Sequence, residues 1–128
     1  MQDFLGLSRH SSALLSLLRI IIGLLLLQHG LMKIVGFPPG PMPQPPLMSL
    51  LGLAGILELA GGALLALGLF TRPVAFILSG EMAAAYFIGH AGKSLYPALN
   101  MGEAAILFCF ACLYIAAAGP GRWALDKR

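Results

Sequence analysis

The stretch LLGLAGILELAGGALLALGLF, Leu50 to Phe70, decides the fold of this chain. Twenty of its 21 residues are apolar or glycine, and the exception, Glu58, lies near the middle. A helix of about 20 consecutive apolar residues crosses the hydrocarbon core of a bilayer. An ionisable side chain is expensive in lipid, so Glu58 is expected to face the interior of a helical bundle and to have a polar partner there.

The rest of the chain has the composition of a membrane protein. Of its 128 residues, 59% are hydrophobic and only 10% are charged, whereas about a quarter of the residues in a soluble domain are charged. The net charge of +3 comes from scattered basic residues, which do not form the basic stripe of a nucleic-acid-binding protein. We therefore expect a lipid bilayer as the surroundings and no nucleic-acid partner.

Four apolar runs predict an all-α fold, an integral membrane four-helix bundle made by a single domain, residues 1–128. The expected spans are approximately 13–32, 47–70, 73–90 and 101–118, and none of them alternates with the period of two that a strand requires. Residues 36–46 hold six prolines, which exclude a helix and predict a proline-rich outer loop. The run 13–32 is too long for the core of a signal peptide, so we expect it to be retained as a span.

The counts of Lys and Arg predict the orientation. With four spans, the two termini and the connection at residues 71–73 share one side of the membrane. That side carries Arg9, Arg72, Arg122, Lys127 and Arg128, and the other side carries Lys33 and Lys93. We therefore expect a multi-pass protein of the cell inner (cytoplasmic) membrane, with both termini cytoplasmic and the proline-rich loop outside.

Three of the five acidic residues, Glu58, Glu81 and Glu103, lie inside the apolar runs, as does Arg19. Such residues usually turn inward and pair, so Arg19 is expected to meet Glu58 or Glu81 near the midplane, as a structural ion pair or as a ligand or proton site. A second polar layer is expected near the outer edge, with Lys33 capping it. Its members are Gln28, His29, His90, Asn100 and Glu103.

Helical phase supports this arrangement and also exposes a weakness in it. Small residues four positions apart accompany Glu58, which lets another helix approach closely, and Arg19 and Lys33 share a stripe on the first span. Met82, Tyr86 and His90 share one face of the third span. Glu81 and His90, however, are nine positions apart, or about 180° around a helix. They point to one axis only if that helix is irregular or contacts a partner chain.

The two cysteines form a CxxC motif, Cys109 and Cys112, in the middle of the fourth span. A redox CxxC usually places its first cysteine at an exposed helix N-terminus, so two small buried thiols and a redox pair both remain open. His29 and His90 are either hydrogen-bonded histidines at the interface or ligand-binding groups. We expect no metal site, since a metal needs three or four converging ligands.

The sequence resembles the DoxX family of small four-span membrane proteins. The similarity covers about 85 residues in three segments: LLRIIIGLLLLQHGLMKIVGF, GILELAGGALLALGLFTRPVAFILSGEMAAAYF and YPALNMGEAAILFCFACLYIAAAGPGRWALD. It includes polar and glycine positions that hydrophobicity alone would not require. They are Arg19, His29, Gly30, Lys33, Glu58, Gly61, Gly62, Arg72, Asn100 and Glu103.

The resemblance implies a membrane subunit of a redox complex, quinone-linked and connected with sulfur or oxidative stress. A polar pocket within the bundle would bind a quinone or similar lipophilic carrier, with no covalently bound cofactor. Proton transfer would fall to Glu58, Glu81 and Glu103, and ligand binding to Arg19, His29, Lys33, Tyr86, His90 and Asn100. Electrons would come from a soluble or membrane redox partner, unless Cys109 and Cys112 carry them.

Two other functions fit the same sequence. A non-enzymatic scaffold or assembly component would use Arg19, Glu58 and Glu81 only to fix the register of the helices. A small transporter would need a larger cavity, which a homo-oligomer supplies.

Overall fold

Helices form nearly all of the regular structure in the computed structural model, which describes residues 3–41 and 43–126, and no strand occurs in those ranges. A 3₁₀ helix, Phe4–His10, precedes five α-helices. They are α1 (Ser11–Ile34), α2 (Leu50–Leu67), α3 (Thr71–Gly89), α4 (Pro97–Asn100) and α5 (Glu103–Ala118). The expected all-α fold is confirmed.

The ends of α2 explain why this helix, Leu50–Leu67, is shorter at both ends than the expected span 47–70. Ser49 caps its start, because the Ser49 hydroxyl accepts a hydrogen bond from the N–H group of Gly52 at 3.1 Å. Gly68 ends it in the left-handed conformation, with φ of 75°. The turn between the second and third spans therefore lies at residues 68–70, and not at 71–73 as expected. Pro73 lies in the first turn of α3, where a missing N–H group costs nothing.

The four long helices pack as two pairs. Helix α1 packs most extensively on α2, and α3 packs most extensively on α5. Fewer contacts join the pairs, along one seam between α2 and α3 and another between α1 and α5. The α2/α3 seam matters for function, because one of the cavities described below lies in it.

Glycines allow the very close approach of α1 and α2. A Cβ atom on Gly23 would lie 2.6 Å from the backbone N of Ala66, and one on Gly62 would lie 2.7 Å from the backbone O of Gly23. Gly30 meets the backbone of Leu59 in the same way. The stripe of small residues around Glu58 was expected to permit such packing, and it does.

The core and the surface of the protein are both largely apolar. All four long helices contribute to a buried layer that we call the apolar layer. Its members are Leu26, Leu65, Ala75, Leu78, Cys112 and Ile115. Among the described residues, two helical segments are long and apolar enough to cross a membrane: Phe4–Ile34, which joins the 3₁₀ helix to α1, and Leu50–Leu67. The four-span bundle stays a prediction, since α3 is more polar and α5 is shorter.

Candidate functional site

An ion pair between Lys33 and Glu58 forms the centre of the candidate site. The Lys33 Nζ atom donates to Glu58 Oε1 at 2.7 Å. The Glu58 side chain is only 3% exposed, whereas that of Lys33 is 23% exposed. The stem of the lysine passes over Gly55, where an added Cβ atom would lie 2.7 Å from the Lys33 Cβ atom. The acid that stands out in the sequence thus has a partner, and its partner is Lys33.

Glu81 of α3 places a second carboxyl group beside that of Glu58. Both Glu81 oxygens are buried, and no group among the described residues donates a hydrogen bond to them. A buried carboxylate without a donor is costly. A proton on either carboxyl group would give the two glutamates a hydrogen bond across the α2/α3 seam, and a ligand with a donor group would satisfy Glu81 equally well.

His90 joins this cluster because α3 ends just before it. The helix stops at Gly89, and His90 has φ of −126° and ψ of −44°, so the helical phase that opposes it to Glu81 no longer applies. His90 and Glu81 line the same cavity. The expected conflict between these two residues is therefore resolved by the end of the helix, within a single chain.

A polar network holds His90 in place. Its Nδ1 atom lies 3.0 Å from the backbone O of Asn100, and its ring stacks on that of Tyr86. Asn100 is fully buried and donates to the Tyr86 hydroxyl at 3.0 Å and to the backbone O of Ser94 at 3.1 Å. Tyr86 and Asn100 therefore position His90, and they lie outside the cavities around the ion pair.

Three cavities meet at Lys33 and His90. One of them, which we call the groove, has a volume of about 460 Å³ and runs along the α2/α3 seam past Lys33, Glu58 and Glu81. A second, of about 200 Å³, lies between the four long helices, beside His29 and Glu58. The third, which we call the outer chamber, has about 590 Å³ and lies under the proline-rich loop.

The proline-rich loop forms the outer wall of the outer chamber. Pro39, Pro41 and Pro43 line it together with His29 and Lys33. The side chain of Gln44 also lines it and donates to the backbone O of Ile34 at 2.5 Å, which ties the loop to the end of α1. The loop thus contributes to the site and is more than a connection.

Arg19 does not pair with Glu58 or Glu81, contrary to expectation. Its guanidinium is 1% exposed and donates to the backbone oxygens of Pro120 and, at 2.5 Å, Trp123. Arg19 and Lys33 are fourteen residues apart on α1, or about 21 Å. The apolar layer lies between them, so Arg19 belongs to the opposite end of the molecule.

The sequence predicts Glu103 and Gln28 in the outer polar layer, but neither side chain lies there in the structure. Glu103 is the first residue of α5 and its side chain is exposed. Gln28 is exposed on α1. Neither residue lines any of the three cavities that meet at Lys33. Their helical positions turn them away from the seams, which hydrophobicity did not reveal.

The cysteines lie below the cluster. Cys112 is fully buried in the apolar layer and Cys109 is partly exposed; both are free thiols. The Ser79 hydroxyl lies 2.7 Å from the backbone O of Cys109 and 3.5 Å from its Sγ atom. Within residues 3–41 and 43–126, no three His, Cys, Asp or Glu side chains converge closely enough to hold a metal ion.

Sequence reasoning missed the role of the segment after α5. Residues 119–126 fold back over the ends of α1 and α3, with Ser16 donating to the backbone O of Pro120 at 3.0 Å and accepting from the N–H group of Trp123 at 2.9 Å. The available signal was the GPGR stretch, in which Gly119 and Gly121 have positive φ. It was interpreted only as a helix stop.

Comparisons with known proteins agree with this picture. A protein of Haemophilus influenzae, described as an uncharacterized protein, is 40% identical over 132 aligned positions, which cover 96% of each chain. No solved structure matches the chain. The DoxX family model matches residues 14–91. The chain therefore belongs to the DoxX family, and this membership together with its apolar helices indicates a membrane protein.

Proposed function

We propose that the chain is a four-span protein of the cell inner membrane that binds a quinone or a similar lipophilic redox carrier in the groove between α2 and α3. The observation that carries the proposal is that this apolar groove is lined by the ionisable side chains of Lys33, Glu58 and Glu81. A molecule with an apolar tail and a polar, proton-exchanging head matches both parts of the groove.

The surface supports four spans. Each long helix exposes large apolar side chains, which are favourable against lipid and unfavourable against water. Among them are Leu17, Ile21, Leu24, Leu53, Ile56, Phe76, Ile77, Phe87, Leu107, Phe110 and Leu113. Helix α3 has 19 residues, enough to cross the hydrocarbon core, and α5, with 16 residues, is close to that length.

The distribution of basic residues supports cytoplasmic termini. Arg9, Arg72 and Arg122 lie at the end of the molecule away from the Lys33–Glu58 pair, while Lys127 and Arg128 lie outside the described residues. Lys93 follows α3 at the end where the cluster lies. An excess of positive charge marks the cytoplasmic side, which assigns the proline-rich loop to the outside.

The cluster suits proton exchange with a bound headgroup. Lys33 donates a hydrogen bond to one oxygen of the Glu58 carboxyl group. Glu81 has two buried oxygens without donors, so it is free to give a proton to a carbonyl oxygen or to accept one from a hydroxyl group. His90 at the mouth of the groove, and His29 beside the neighbouring cavity, supply further hydrogen-bonding groups.

We further propose that the chain is a subunit of a redox complex. A quinone exchanges electrons as well as protons, and the described residues contain no haem-attachment motif or nucleotide-binding fingerprint. A soluble or membrane partner would therefore supply the electrons. Cys112 lies buried in the apolar layer and the partly exposed Cys109 packs against it.

Extraction of the purified protein tests the proposal. Protein purified in mild detergent is extracted with organic solvent, and the extract is analysed for quinones by chromatography and mass spectrometry. The unaltered chain is expected to retain quinone and Glu81→Gln to lose it. Glu103→Gln makes the same chemical change at an exposed position, so it is expected to retain the ligand.

Other results would favour the other functions. Extracts with no quinone, together with a Glu58→Gln variant that only loses thermal stability, would contradict ligand binding and favour a scaffold. Uptake of a substrate into vesicles by the protein alone would favour a small transporter. Loss of quinone from both glutamate variants would contradict the assignment of the site to the groove.

A further inference from the structure

We infer that the polar cluster communicates with one side of the membrane only, the side of the proline-rich loop. The inference deepens the proposed function and rests on its membrane-spanning arrangement. Any headgroup that enters the site, and any proton that the site takes up or releases, would be exchanged with that side.

All three cavities around the cluster lie at the same end of the molecule. The groove ends at Leu50 and His90, at the start of α2 and just after α3. The outer chamber continues from Lys33 and His90 to the proline-rich loop. A polar route from Glu81 to the surface therefore exists at this end, past Lys33 and His90.

The apolar layer closes the other direction. Leu26 of α1, Leu65 of α2 and Ile115 of α5 are 0% exposed, and Leu78 of α3 is 1% exposed. Each of the four helices thus contributes a fully buried apolar side chain at this level, and the layer contains one close-packed cluster. Close-packed apolar interiors hold no water, so no chain of water crosses the layer, and the thiol of Cys112 within it is only a weak donor.

Helix packing places this layer between the two polar regions. Gly61 on α2 meets Leu78, where an added Cβ atom would lie 2.9 Å from the leucine Cδ2 atom. Glu58 lies one turn further towards the loop, as does Glu81 on α3. Arg19 lies on the other side of the layer, beside Gly68, so none of the described acidic or basic side chains links the two regions through the bundle.

Hydrogen bonds hold the far end together, and the cavity that opens there, lined by Ser11, Arg72 and Pro120, shares no lining residue with the groove. The buried guanidinium of Arg19 binds the backbone oxygens of Pro120 and Trp123, and Ser16 binds the same segment. The carboxylate of Asp126 binds the N–H groups of Phe70 and Thr71 at 2.8 and 2.9 Å. The segment 119–126 therefore covers the ends of α1 and α3.

Cysteine accessibility tests the inference without any ligand. Leu57→Cys reports on the groove next to Glu58, and Ala85→Cys reports on the same groove nearer its mouth. Both are made in a background with Cys109→Ala and Cys112→Ala, whose folding is checked by thermal unfolding. A charged, membrane-impermeant maleimide is applied to spheroplasts and, separately, to inverted membrane vesicles.

The exposed Arg122→Cys variant identifies which preparation presents the C-terminal side. The cysteines at positions 57 and 85 are expected to react only in the preparation that presents the opposite side to the reagent. They are expected not to react when the reagent reaches the C-terminal side alone. Labelling of Leu57→Cys from the C-terminal side would overturn the inference, and Ala85→Cys provides the same test if the first variant does not fold. Labelling from both sides would contradict one-sided access but would not affect quinone retention. Extracts without quinone would contradict quinone binding but would not affect one-sided labelling. The two proposals can therefore fail separately.

Discussion

At the scale of single residues, the cluster combines two buried carboxyl groups with one lysine. Lys33 pairs with Glu58, and Glu81 adds a second acid that has no donor among the described residues. The desolvation of a buried charge is offset only by a well-placed partner. The stability of the protein therefore depends on Lys33 more strongly than it would on a lysine in an exposed ion pair.

We expect Lys33→Met to destabilise the protein strongly. The change leaves the Glu58 carboxylate buried without its partner, which typically costs about 3 kcal/mol. The double variant Lys33→Met with Glu58→Met removes both charges and is expected to recover part of the loss. Unfolding by denaturant in detergent measures the difference.

Lys93→Met is the matched control, because Lys93 is exposed after the end of α3. It should unfold like the unaltered protein. If Lys33→Met were as stable as Lys93→Met, the ion pair would not contribute to the fold, and its role in the groove would have to be reconsidered.

At the scale of helices, the α1/α2 pair has almost no space between its backbones. Gly23 and Gly30 on α1 and Gly62 on α2 are each too close to the opposite backbone to accept a Cβ atom without movement. The α2/α3 seam has fewer contacts and contains the groove. Tight packing within the pairs thus leaves the seam as the place where a ligand fits.

Gly23→Ala is expected to destabilise the protein, since the new methyl group meets backbone atoms of Gly62 and Ala66, which have little freedom to move. Overpacking of this kind costs about 1–3 kcal/mol. Gly80→Ala is the control, because an added Cβ atom at Gly80 has nothing within 4 Å. Alanine favours a helix over glycine by about 1 kcal/mol, so this variant should be at least as stable as the unaltered chain.

Thermal unfolding in the same detergent compares the two glycine variants. A Gly23→Ala protein that unfolds at the same temperature as Gly80→Ala would contradict the close approach of α1 and α2. The comparison isolates packing, because both variants make the same change within a helix.

At the scale of the whole molecule, the segment 119–126 connects helices that are far apart in sequence. It binds Arg19 and Ser16 of α1, and Asp126 binds the first N–H groups of α3. Burial opposes the shift, but the contacts with Thr71 and Phe70 and the charge of Arg19 together hold the pKa of Asp126 below its ordinary value of 3.8.

This shift predicts how stability depends on pH. Since the folded pKa is lower than the unfolded one, Asp126 stabilises the protein fully above pH 3.8, and the contribution is lost as the pH falls through the folded pKa. Asp126→Asn should therefore be less stable than the unaltered chain at neutral pH, and the gap should close in acid. Thermal unfolding over a pH series measures it, and a gap independent of pH would contradict the carboxylate contacts.

The sequence predicted the cluster only in part. The burial of Glu58 and the stripe of small residues beside it follow from helical phase, and both occur in the structure. Helical phase did not predict the partner of Arg19, because a long side chain reaches in either direction along a helix. The carbonyl groups that bind Arg19 also belong to a segment that is distant in sequence, residues 119–126. Glu103 was expected in the cluster because it is polar in an apolar run, although its side chain turns outward.

What the sequence alone determined is the class of molecule: an all-helical, apolar chain whose few internal charges must avoid lipid. Composition and periodicity decide this, since the cost of exposing polar groups to hydrocarbon depends on each residue and its helical phase. Only the tertiary structure decided which charges meet. The order of helices around the bundle, the end of α3 at Gly89 and the return of the C-terminal segment bring Lys33, Glu58, Glu81 and His90 together and send Arg19 to the opposite end. These are contacts between distant parts of the chain, which no local pattern specifies.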